Sequence, residues 1–192
     1  MGLFQRGPRV PRWRSRDEDA AMTTEIEAYT GAGLLRGRLA GPDRLADLLE
    51  TLDSLAFERP SLDPIDGGPR ETQSRAVVET DDLLLVVCPA ETLTPVHASW
   101  HALTLSIGPF SVACELPTLP GYDPGRSLTR PGGPFVMLGR VMVGLRAAPD
   151  AGQAEHAFAW VNRYAVEAYE ADIDLGAYFP GARSTAPAPA PA

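Results

Sequence analysis

A few residue groups in this chain carry the types from which a site could be built. The run Gly31-Ala32-Gly33-Leu34-Leu35-Arg36-Gly37 resembles a dinucleotide-binding loop at first sight. Such a loop needs a long helix straight after its glycines, so that the helix N-terminus meets the pyrophosphate. Here Leu34–Ala40 alternates in polarity as a strand does, Gly41-Pro42 stops it, and the last glycine falls one residue late. The run reads as a hairpin turn, and no cofactor is expected. His97 and His101 have the spacing of two metal ligands on a helix. They sit where a strand begins after Pro95, and on a strand they would share a face ~13 Å apart, too far for one ion. His156 is the third histidine, and no thiol or carboxylate completes a set with it. No metal is expected.

Cys88 and Cys114 are both expected to be buried, and neither belongs to a Cys-x-x-Cys pair. The acids Asp63, Asp66, Glu71, Glu79, Asp81 and Asp82 gather in one region. Paired acids can do acid–base work when burial separates their pKa values. These fall in stretches read as loop and turn, where solvation is the simpler role. No Gly-x-Ser-x-Gly, P-loop or His-Glu-x-x-His occurs, so the chain reads as non-enzymatic. Two segments are candidate interaction surfaces. One is the Pro- and Gly-rich stretch Leu116–Pro134 with Tyr122, Arg126 and Arg130, readable as a recognition loop or as a stiff spacer. The other is the N-terminal Arg6, Arg9, Arg12, Arg14 and Arg16.

The whole chain has 192 residues, 44% of them hydrophobic, which is enough for a packed core. No apolar run approaches the ~20 residues of a membrane helix. No apolar stretch follows the basic N-terminal segment as it would in a signal peptide, so a cytoplasmic location is expected. Every basic residue is Arg. The net charge is −8, and five arginines with no acid among them lie in the first sixteen residues. The body is therefore strongly acidic and repels phosphate.

Residues 1–22 read as a disordered Arg-rich arm, with Leu3, Phe4 and Trp13 as anchors should it touch an anionic membrane surface. The simpler reading is a solvated tail, or an upstream extension with the true start at Met22. Residues 180–192 read as a disordered Pro/Ala tail. Between them the fold class is mainly β, with a helix near 42–54. Glu25–Thr30 and Leu34–Ala40 alternate with period two around the Gly31-Ala32-Gly33 turn and predict a hairpin. Ile26, Ala28, Leu35, Gly37 and Leu39 face inward; Glu25, Glu27 and Tyr29 face outward. Pro42-Asp43 opens the helix, and Leu45, Leu48, Leu49 and Leu52 form its stripe. A strand near Leu55–Glu58, a loop over Asp63–Thr72, and a second hairpin of Arg75–Val78 with Leu83–Val87 follow.

The pattern then repeats. Displaced by 77 residues, Glu25–Leu39 falls on Ala102–Leu116 without a gap and with inward positions in phase. Displaced by 83, Arg75–Val87 meets Phe158–Glu170, and Phe57 can be set against Phe135. Two tandem units result, 23–95 and 96–179, the second packed on the first. Ala154–Asp172 fits a helix or a strand–turn–strand; the repeat favours the strands, with Asn162-Arg163 at the turn.

This layout resembles the Sm-like small β-barrels. It is also similar to short uncharacterised bacterial domains that carry a Tyr-Thr turn, a Gly-x-Leu strand and an Arg-Leu-x-Asp-x-Leu crossover. Here these are Tyr29-Thr30, Gly37-Arg38-Leu39 and Arg44-Leu45-Ala46-Asp47-Leu48. The resemblance implies a fold and no activity. Three functions are consistent with it. The first is a protein-interaction or scaffold module, including self-association, working through sheet edges or the Pro/Gly loop. The second is nucleic-acid binding with the Arg arm. The third is small-ligand binding in the crevice between the units.

Overall fold

The computed structural model describes residues 23–40, 44–89, 97–122 and 132–185. The first hairpin forms as its alternation requires, from β1 (Thr23–Thr30) and β2 (Gly33–Ala40). The Thr30 hydroxyl closes the turn by accepting from the Ala32 and Gly33 N–H groups. Helix α1 (Leu45–Thr51) is shorter than expected and buries Leu45 and Leu49; Pro42-Asp43 lies outside the described residues. Then come β3 (Ser54–Pro64), β4 (Glu71–Thr72), β5 (Arg75–Glu79), a tight turn over Thr80–Asp82, and β6 (Leu83–Val87). The second half contains β7 (Ser99–Ile107), β8 (Phe110–Thr118), β9 (Phe135–Leu145), β10 (Ala154–Asn162), β11 (Val166–Ala171) and β12 (Arg183–Ser184).

The mainly-β class holds, but the strands form one open sheet and no closed barrel. Its order is β12-β11-β7-β8-β9-β10-β6-β1-β2-β3-β4, with β5 also on β3. The expected second hairpin does not exist. β5 pairs with β3, while β6 turns away to pair with β1 and β10. Likewise β10 and β11 are strand–turn–strand, but they pair with different neighbours. Alternation fixes which face a residue takes, not which strand lies beside it. The segment read as a tail from Pro180 contributes β12, which pairs in parallel with β11.

Each half has the same strand order, β6-β1-β2-β3-β5 in one and β11-β7-β8-β9-β10 in the other. The agreement extends to register. Tyr29↔Leu34 recurs as Ser106↔Ser111, and Ala28↔Val86 as Leu105↔Tyr169. Irregularities recur too. The β2–β3 shift between Arg36 and Arg38 matches that between Ala113 and Glu115, and the skip over Leu84 in β6 matches that over Glu167 in β11. Arg59 and Arg140 occupy equivalent positions and share a left-handed backbone, at φ 47 and 48°. The Thr80 N–H donates to the Asp53 carbonyl as the Arg163 N–H donates to that of Pro134. Displacements are 77 residues along β1–β2 and 83 along β5–β6, as the sequence shows, but 81 along β3. Phe57 therefore matches Leu138, and Phe135 matches Ser54. The extra residues lie in the crossover, a helix in one unit and the stretch after β8 in the other.

Two cores result, and each is completed by the other unit. The first gathers Ile26, Leu39, Leu49 and Phe57, and takes Phe135 with Trp160 against it from the second unit. The second gathers Leu105, Val112, Leu138 and Val161, and takes Tyr29, Leu85 and Val87 from the first. Tyr29, read as outward-facing, is buried because the second unit covers that face.

The paired left-handed arginines give a test of the repeat. Valine at either site places a β-branched residue where its Cβ crowds the backbone. Arg59→Val and Arg140→Val are each expected to be about 1–2 kcal/mol less stable in urea than glycine at the same site, a comparison from which the loss of the Arg140–Glu115 pair cancels. Valine tolerated at one site and not the other would contradict their equivalence.

Candidate functional site

Three features stand out from the rest of the surface: a seam, a pair of clefts, and the sheet edges. The seam is the antiparallel junction of β10 with β6, in which Trp160 faces Val86 and Val161 faces Leu85. A polar chain runs beside it. The Tyr29 hydroxyl meets His156 Nε2 at 2.7 Å, across 127 residues of sequence. Tyr29 also stacks edge-on against Phe110, with ring centroids 5.3 Å apart. Arg36 Nε donates to Glu27 Oε1 at 2.9 Å and its NH1 to Asp63, which Arg70 also clamps through two nitrogens.

Burial pushes the Tyr29 phenol up to about 12, so it stays protonated and donates. Burial also lowers the pKa of His156, and Arg36 adds to this while Glu27 opposes it. Neutral His156 then accepts at Nε2, and its 3.9 Å approach to Glu27 is not an ion pair at neutral pH. Asp63 lies on β3 and not in a loop; the Arg70 hydrogen bonds, with those of Arg36, hold its carboxyl below the usual range.

The larger cleft, about 890 Å³, crosses all five strands of the second unit. A smaller one of about 370 Å³ lies in the first unit. They occupy the same place in the repeat. Glu25, Ile26 and Glu27 stand where Ala102, Leu103 and Thr104 stand, and Arg36, Gly37 and Arg38 where Ala113, Cys114 and Glu115 stand. Arg59 matches Arg140, and Pro89 matches Asp172. Their charges differ. Glu115, Glu155, Glu170 and Asp172 make the larger cleft acidic, against Arg140 and His156. The smaller sets Arg36, Arg38 and Arg59 against Glu25 and Glu27. Arg140 donates to Glu115 Oε1 at 2.9 Å, and Glu115 Oε2 is buried with no hydrogen-bond partner. Burial and the Glu115 charge push the Cys114 thiol at the cleft floor up to about 12, which removes it as a nucleophile at neutral pH.

Several sequence candidates are placed differently. His97 lies in a turn with φ 64°, before the strand, while His101 on β7 bonds Thr118 at 3.0 Å. Among the described residues no group of three or more His, Cys, Asp or Glu could hold a metal ion. Cys88 and Cys114 are buried, as expected. Glu79 lies on β5 and Glu71 on β4. Tyr122 bonds Tyr178, and burial together with that bond pushes the Tyr178 phenol up. Arg126, Arg130 and Arg6, Arg9, Arg12, Arg14 and Arg16 lie outside the described residues. The two equivalent clefts lie within the units, and a further one of about 540 Å³ lies in the first unit, beside Leu48, Leu55 and Arg59. Among the described residues no helix is long and apolar enough to cross a membrane.

No family model matches this chain, and no curated protein or solved structure matches it either.

The two edges of the sheet complete the picture. β5 is paired only with β3 among the described residues, and its Val77 is 60% exposed. Among the described residues β11 carries on its outer side only β12, two residues long. Sequence reasoning named neither Val77 nor the Tyr29–His156 pair; an apolar residue between Arg75 and Glu79, exposed on an edge, was the available signal for the first.

The half-buried His156 sets a pH dependence. Its pKa is lower in the folded chain than the ~6.5 of an unfolded histidine, so its contribution is complete above ~6.5 and is lost as pH falls through the folded value. Between pH 7 and 5, wild-type melting temperature is expected to fall more steeply than that of His156→Gln. Asp63 contributes its own loss only below the ordinary carboxylate range. Wild type gaining stability on acidification relative to His156→Gln would show that Glu27 dominates instead.

Proposed function

We propose that this protein is a non-enzymatic interaction module that recruits an extended strand to the open edge of its sheet. The observation that carries this reading is β5, with Val77 exposed on the same strand face as Arg75 and Glu79 and no strand on its outer side among the described residues. An unpaired edge presents a row of backbone donors and acceptors, a template for another strand, and proteins that do not use such an edge blunt it. The chain itself demonstrates the chemistry: its two units are joined by edge pairing of β10 on β6.

Nucleic-acid binding has less support. The larger cleft carries four carboxylates against one arginine and a histidine held neutral, and so repels a phosphate backbone. A small-ligand role rests on the volume of that cleft and on the unpartnered Glu115 Oε2, which calls for a hydrogen-bond donor.

Full-length tagged protein, purified at moderate salt beside Val77→Asp, tests the edge. Val77 is exposed, so the substitution is expected to change stability by less than ~0.5 kcal/mol. The reading expects a defined protein, or further copies of the chain, with the wild type and their loss with Val77→Asp. Identical retention by both proteins, or retention of nuclease-sensitive material alone, contradicts it.

A further inference from the structure

The two open edges are complementary to each other. Within the chain, β10 of the second unit docks antiparallel on β6, the last strand of the first, Trp160 opposite Val86 and Val161 opposite Leu85. Carried through the repeat, Trp160 and Val161 become Val77 and Val78 on β5, and Val86 and Leu85 become Tyr169 and Ala168 on β11. The first set lies on an edge with no outer partner among the described residues. The second set is where the C-terminal segment pairs: Ala168 with Arg183 and Tyr169 with Ser184. β12 thus sits at the register positions that a following unit's β5 would take.

We propose that β5 of one chain docks antiparallel on β11 of a second copy, repeating between chains the seam found within one, and that β12 is the strand it displaces. This rests on the edge reading above and names its partner.

Three further observations support that choice. Val77 occupies the position of Trp160, whose ring packs against the neighbouring unit's core; its exposure is that of a residue whose core is missing. In the proposed pair it lies beside Tyr169, already part of the second core. The seam's hydrogen bond between Tyr29 and His156 maps to Ser106 and Gln73, both able to bond. Finally, among the described residues the occupant already on β11 is short. β12 has two exposed residues; Ser184 hydrogen-bonds Tyr169, and the next residue, Thr185, donates to the Tyr169 carbonyl through its N–H at 2.8 Å and its hydroxyl at 3.1 Å. The interface is heterologous, so it generates closed rings or open filaments and not an isologous dimer.

The test uses the full chain. Thr185→Pro removes both Thr185 donors and frees the β11 edge, while Val77→Asp places a charge in the seam. Sedimentation across a concentration series is expected to show Thr185→Pro associating about tenfold more tightly than wild type. Val77→Asp is expected to abolish association in either background, with circular dichroism and melting temperature unchanged. A second measurement is independent of affinity. Mixing a Val78→Cys chain with an Ala168→Cys chain under mild oxidation is expected to give a mixed disulfide dimer that neither chain gives alone.

Thr185→Pro that stays monomeric throughout, with no mixed disulfide, overturns the proposal. If in that case Val77→Asp still loses a different co-purifying protein, the edge reading stands and only the second copy as its partner falls. If Val77→Asp loses nothing, both fall.

Discussion

The strand β6 is shared between two cores, and the architecture depends on that sharing. Its five residues Leu83–Val87 are apolar throughout because both faces pack against a core, with Leu84 alone partly exposed. Leu83 and Val86 complete the first core, while Leu85 and Val87 complete the second. The irregularity that skips Leu84 lets the strand pair with β1 on one side while presenting Val86 and Leu85 to β10 on the other. A small β unit of this length buries little surface alone. Here each unit lends side chains to its neighbour, Tyr29 in one direction and Phe135 with Trp160 in the other. The sheet stays open because this pairing fills the place that barrel closure would fill.

The two units keep one geometry and differ in what they present. The shift before Arg38 recurs before Glu115, and left-handed Arg59 recurs as Arg140. Those bends open a cleft at the same place in each unit. Side chains then set opposite characters: arginines dominate one cleft and carboxylates the other. The seam is also finished differently at its two ends. Between the units it is packed and hydrogen-bonded, whereas on β11 it is covered by a two-residue strand.

Much of this was legible in the residues. The alternation of Ile26, Ala28 and Leu39 gave the inward face, and the displacements of 77 and 83 predicted a repeat that backbone pairing reproduces. Three things were not legible, each for a physical reason. Period-two patterning carries no information on neighbours, so Arg75–Val78 and Leu83–Val87 looked like a hairpin although they pair elsewhere. The faces of β1 could not be assigned from β1 alone, because what buries Tyr29 is His156 and Phe110 in the other unit. Phe57 was matched to Phe135 by residue type, whereas the four extra residues of the second crossover move the true partner to Leu138. Of the site candidates, the acids and histidines drew attention through their chemistry; the edge at Val77 is defined by what does not lie beside it, which no spacing records.

Native-state hydrogen exchange on the full-length chain tests the sharing of β6 most directly. It reads the opening free energy of each backbone amide across both units. A shared strand predicts a single upper level of protection common to the central strands of the two halves, with β6 and β10 at that level, because neither core survives loss of the other. Two distinct levels, one for β1–β3 and another for β7–β9, with β6 and β10 exchanging earlier than both, would show that the units are independent domains resting against each other.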